Sequence, residues 1–140
     1  MLRRPSSAAV ATLAAAGLLF AAVSTPTSGA TGSRAASSVT VVAAGGDLPF
    51  TWEWDPAEVA IRQGGEVMWE NPTEATHHVT FWEGPGGKHR HLDPGGSATL
   101  KLRKPGVYKY LCDITFHADI VDVAGYGRVC VGMCGEITVQ

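Results

Sequence analysis

From residue 39 onward the chain reads as short runs in which apolar and polar positions alternate, separated by glycine and proline. Alternation with period two places side chains on opposite faces of an extended strand. Val59 and Ile61, Val67 and Trp69, Val79 and Phe81, and Ala98, Leu100 and Leu102 therefore fall in sets, each on one face. The pattern predicts strands over 38–43, 59–62, 66–70, 78–83, 98–102, 107–111 and 136–139. Breaks are expected at Gly45 and Gly46, Gly64 and Gly65, Asn71 and Pro72, 84–87, 94–96, and Pro105 with Gly106. The only helical candidate is a turn or two within 118–124. Many short strands with such punctuation predict an all-β sandwich or barrel. Trp52 and Trp54 share a strand face, and aromatics at that spacing are usually core, so no function is assigned to them.

The first 30 residues have a different character. Arg3 and Arg4 precede an apolar stretch over 8–23, and Ser28, Gly29 and Ala30 offer small residues for cleavage. This is the layout of a secretory signal peptide. A membrane anchor is the alternative, but the apolar run is short for a span and no second one follows. The paired arginines also raise twin-arginine export, although Pro5, Ser6 and Ser7 are not the apolar residues expected after them. Residues 31–38 are small and polar and are expected to form a flexible leader. Residues 39–140 form the expected single domain, exported from the cytoplasm.

Charge excludes one class of partner. Beyond residue 30 the chain keeps nine of its eleven Lys and Arg and all thirteen acids, giving a formal charge near −4 with no basic patch suited to nucleic acid.

The candidate chemistry lies mostly in the last third. The strand over 107–111 runs into Cys112, His117 follows in a loop, and Met133 precedes the closing strand. If the last two strands pair as an antiparallel hairpin, Cys112 and Met133 meet whatever the length of the loop between them. Thiolate, imidazole and thioether make a soft, low-coordinate site, which suits copper. A further imidazole can come from upstream, where His77 and His78 adjoin after the Asn71 and Pro72 break.

Taken together, the segment from Asn71 to Phe81 with a histidine before Val-x-Phe, the Tyr-x-Tyr-x-Cys run, the later histidine and Gly-Met-x-Gly-x-Ile-Thr-Val resemble the small blue-copper proteins, the cupredoxins of the plastocyanin, amicyanin and pseudoazurin type. The resemblance spans residues 39–140 and implies a Greek-key β-sandwich of about seven or eight strands. It implies one type 1 copper ion held by His77, Cys112 and His117, with Met133 as a weaker axial ligand. His77 matches the family's ligand position. His78 stands where relatives carry a residue that ties the site together, and it is the substitute ligand. Relatives place the methionine a few residues after the second histidine, whereas here 118–132 intervene.

Three cysteines in an exported chain fit one metal thiolate plus one disulfide, and Cys130 with Cys134 is the available pair. The competing reading of these two as bridges between paired coppers wants a histidine four residues after the second cysteine, where this chain has Thr138. His89 and His91 form a His-x-His of the kind used by multicopper oxidases, but the chain has five histidines in all. An exposed polar loop is expected there. A weak second copper site stays open, because His89 and His91 point the same way if extended.

The expected function is a secreted electron carrier rather than an enzyme. It would pass single electrons between redox partner proteins as a monomer, with no small-molecule substrate. The alternatives are a copper carrier or scavenger on the same fold, and a metal-free β-sandwich interaction domain.

Overall fold

The computed structural model describes residues 35–46 and 48–140. The expected signal segment and the first part of the leader lie outside the described residues.

Ten strands follow in order: β1 (Ala36–Ala44), β2 (Glu53–Asp55), β3 (Glu58–Glu70), β4 (His77–Glu83), β5 (Arg90–Leu92), β6 (Ser97–Lys101), β7 (Gly106–Leu111), β8 (Ala118–Val123), β9 (Gly127–Gly132) and β10 (Cys134–Val139). Eight of them are joined in the order β2-β1-β3-β10-β7-β4-β5, with β6 also on β3, while β8 and β9 form a separate hairpin. The all-β expectation holds. Among the described residues no helix is long and apolar enough to cross a membrane.

Three differences from the sequence reading have physical causes. The runs over 59–62 and 66–70 are one strand, β3, which continues through Gly64 and Gly65. Gly64, at φ 78°, bends the strand so that it changes partners without ending. Its first half pairs in parallel with β10, and its second half pairs with β1 and β6. The freed backbone groups are taken up by neighbours: Gly64 N–H donates to Leu102 O (2.7 Å) and Leu102 N–H to Gly65 O (3.0 Å).

The second difference is at 118–124, where the structure has strand β8 in place of a helical turn. Ile120, Val121 and Val123 are β-branched and favour extended backbone, and β9 pairs with the whole of β8. The third is at the leader, where β1 begins at Ala36, two residues before the predicted strand, because Ala36 finds a parallel partner in Ile61 of β3.

The alternating apolar sets meet in one core. Val41, Ile61, Val67, Trp69, Val79, Tyr108, Tyr110 and Ile137 are buried, each side chain contributing about 1.5–3 kcal/mol on burial. Trp69 meets Tyr110 edge-on, with ring centroids 5.4 Å apart. Trp54 is buried against Tyr110 at 6.0 Å, as expected of a core tryptophan.

Candidate metal centre

The pairing of β7 with β10 is antiparallel, with Cys134 opposite Leu111 and Ile137 opposite Tyr108. That register sets Cys112 beside Met133, and Cys112 N–H donates to Met133 O at 3.0 Å. The 15 residues between His117 and Met133 do not separate them. They fold back as the β8–β9 hairpin, with Ala118 opposite Gly132, and Met133 N–H donates to His117 O at 2.8 Å. Gly132 permits this closure: its φ is 89°, and a Cβ there would run into the His117 carbonyl. The insertion is therefore short-circuited at its base.

Cys130 and Cys134 form a disulfide, with Cα atoms 6.1 Å apart, and it fastens β9 to β10 on either side of Met133. Cys112 remains a free, buried thiol. Paired coppers bridged by Cys130 and Cys134 are ruled out by that bond.

β4 starts at the same end of the sheet. Its first residue, His77, is fully buried, and its Nδ1 lies 3.8 Å from Cys112 Sγ. His117 Nδ1 lies 3.3 Å from the same sulfur, and the two imidazole centroids are 5.0 Å apart. A metal ion about 2.0–2.3 Å from each of three ligands in a plane sets neighbouring donors roughly 3.5–3.8 Å apart. The cluster fits such an ion with shifts of a few tenths of an ångström. Its donor set, one thiolate and two imidazoles, is that of a copper site.

Hydrogen bonds fix the ring of His77. Asn71, buried at the end of β3, donates from Nδ2 to the carbonyls of Ala75, Leu92 and Asp93 at 2.7–3.1 Å. Its Oδ1 accepts from the Thr73 hydroxyl at 2.7 Å. With that proton committed, Thr73 Oγ1 accepts from His77 Nε2–H at 3.0 Å. Nδ1 is left with its lone pair toward Cys112. The sequence reading treated Asn71 as a strand break and as the start of the segment carrying the resemblance, gave it no part in the site, and passed over Thr73. The spacing of Asn71, Thr73 and His77 before a strand was the available signal.

Trp52 was missed as well. It shares a face with Trp54, as the alternation predicts, but its indole lies 4.7 Å from His77 and 5.3 Å from His117, covering both rings. Covering the cluster lowers its dielectric. Burial, with the neighbouring His117 and His78 rings, holds the His77 pKa down at about 4. His117 is lowered by burial and by His78. Both imidazoles are thus neutral near pH 7 and able to bind a metal. Burial pushes the Cys112 thiol up, against the N–H groups of His78 (3.2 Å from Sγ) and Ile114. A bound cation reverses that balance by replacing the proton.

His78 lies on the opposite side of β4, and its own side chain is not part of this cluster. His91 lies on β5, paired with His78, and His89 lies just before that strand. β5 is a strand rather than the exposed loop expected.

No protein-family model matches the chain, and no curated protein matches it. Solved structures do match. A purple cupredoxin from Nitrosopumilus maritimus is 18% identical with a TM-score of 0.55, over 73% of this chain and 99% of that one. Reduced auracyanin from Roseiflexus castenholzii is 22% identical with a TM-score of 0.52, over 76% and 98%. Pseudoazurin from Methylobacterium extorquens AM1 is 23% identical with a TM-score of 0.50, over 74% and 75%. The chain has the cupredoxin fold, with the His77, Cys112 and His117 cluster at the end of β7.

Proposed function

We propose that this chain is an exported type 1 copper protein that carries single electrons between redox proteins and turns over no substrate. The observation that carries this reading is the convergence of His77 Nδ1 and His117 Nδ1 on Cys112 Sγ. Copper bound there supplies a one-electron couple between Cu(I) and Cu(II).

The protein's part is to hold the donors still. Thr73 orients His77, the His78 N–H steadies the thiolate, and Trp52 keeps water from the histidines. Donors fixed before the electron arrives need little rearrangement on its arrival, which favours fast exchange. Met133 would supply a thioether to the copper in this reading, supported by its burial and by its backbone bonds to both Cys112 and His117. A thioether donor in a dry site would favour the reduced state. His117 is half-buried and flanked by exposed Phe116, with Phe50 at 6.2 Å from it. That apolar rim suits brief contact with a partner protein, and His117 is the exit for the electron. The disulfide supports an oxidising, extracytoplasmic location.

The copper-carrier alternative is tested by voltammetry of the copper-loaded protein with a Cu(I) chelator present. A reversible one-electron wave that persists through many cycles is expected of an electron carrier. Loss of copper to the chelator on reduction would favour delivery of the metal.

A further inference from the structure

We propose that the rim beside the buried cluster is a second cation site, where His78 Nε2 and His91 Nδ1 bind one divalent ion of the imidazole-preferring class, Zn2+ or Cu2+. The site stands apart from the copper reading of the buried cluster.

β4 and β5 are antiparallel, with His77 opposite Leu92 and His78 opposite His91. Since His77 and Leu92 are buried, alternation puts His78 and His91 together on the other face. Each ring is held from behind by a carboxylate. His78 Nδ1 is 2.7 Å from Asp113 Oδ1, and His91 Nε2 is 3.0 Å from Asp93 Oδ1. An ionised carboxylate can only accept, so each of these outer nitrogens carries a proton. When both rings are neutral, the inner nitrogens, His78 Nε2 and His91 Nδ1, present lone pairs to each other, and they stand 3.0 Å apart.

At that distance the pair either shares one proton in an N–H···N hydrogen bond or, with both rings neutral, aims two lone pairs at one point where a metal ion can replace that proton. Tetrahedral zinc at 2.0–2.1 Å from two imidazoles separates their nitrogens by about 3.3 Å. The rings need to part by only a few tenths of an ångström. Imidazoles backed by carboxylates through their outer N–H are the usual way a protein orients histidine ligands to a metal.

A further imidazole flanks His78. Thr80 Oγ1 donates to Asp113 Oδ2 at 2.9 Å, so it accepts from His89 Nδ1 at 2.9 Å. His89 Nε2 is left with a free lone pair, on a ring 4.8 Å from that of His78. Donor atoms of His78, His89 and Asp113 lie within 4.8 Å of one another, a group that leaves out His91, so His89 adds imidazole to the rim without completing the His78 and His91 pair. Access is open, with the side chains of His91 and Asp113 53% and 42% exposed.

The test is calorimetric titration of Zn2+ into the full chain carrying Cys112→Ser, so that the buried thiolate takes no part, and into wild-type protein loaded with one equivalent of copper. Both are expected to take up one Zn2+ with similar affinity. His91→Ala is expected to weaken that binding at least 10-fold, and Asp93→Asn by about 10-fold through loss of ring orientation. Both residues are exposed, so neither change threatens folding, and circular dichroism checks this. Absence of zinc uptake in both proteins, or equal affinity with and without His91, would overturn the proposal.

Discussion

His77 and His78 are neighbours in sequence and belong to two different clusters. His77 is fully buried beside the Cys112 sulfur, with its second nitrogen satisfied by Thr73. His78 is on the solvent side among His91, His89 and Asp113, and offers only nitrogen and oxygen neighbours. A single residue step along β4 thus separates a soft, dry donor set from a borderline, wet one. The imidazole is the same in both; burial and the neighbouring atoms decide which ion it suits. The clusters meet where the His78 N–H bonds Cys112 Sγ at 3.2 Å.

The largest expected effect comes from the residue that braces the buried side. Asn71→Ala removes the donor to three carbonyls, including that of buried Leu92, and frees Thr73 from its partner. A loss of about 3 kcal/mol in urea unfolding is expected, together with a broadened copper spectrum, while zinc binding at the rim changes less. Next, Trp52→Ala uncovers His77 and His117. It should cost about 2 kcal/mol and speed the loss of copper to a chelator roughly 10-fold, again sparing the rim.

A smaller effect concerns pH in the copper-free protein. The His77 pKa is about 4 in the fold and near 6.5 in the unfolded chain. Between these values the unfolded chain binds a proton that the fold refuses, so stability falls as pH drops from 6.5 toward 4 and is unaffected above 6.5. The depressed His117 adds in the same direction. The urea midpoint should be lower at pH 5 than at pH 7.5, and the copper-loaded protein should show less of this dependence.

The smallest effect is expected from the insertion. Replacing 119–131 by a two-residue turn, with Cys134→Ser, leaves Met133 beside His117 because the hairpin closes at Ala118 and Gly132. Copper colour should survive, with affinity changed about 2-fold at most.

Much of this was legible from alternation and spacing. The core positions, the disulfide, and the pairing of the strand before Cys112 with the last strand all follow from local pattern and from cysteine count. What was hidden depends on contacts between segments far apart in sequence. The alternation that pairs Trp52 with Trp54 cannot reveal that one of them leans on two histidines. The turn chemistry at Asn71 does not disclose that its amide reaches Leu92 and Asp93 across 21 and 22 residues. The β8–β9 hairpin is mostly exposed on both faces, so burial imposes no clear period on it. The rim cluster needs the β4–β5 register, and the sequence assigned β5 no strand.

The central claim is that Cys112, His77 and His117 form a type 1 copper site. Visible absorption and EPR of the protein with one equivalent of Cu(II), beside Cys112→Ser, test it most directly. The account predicts an intense charge-transfer band and a compressed copper hyperfine splitting, both lost in the variant. A pale solution with an ordinary Cu(II) spectrum, the same in both proteins, would contradict it and leave the copper on the rim.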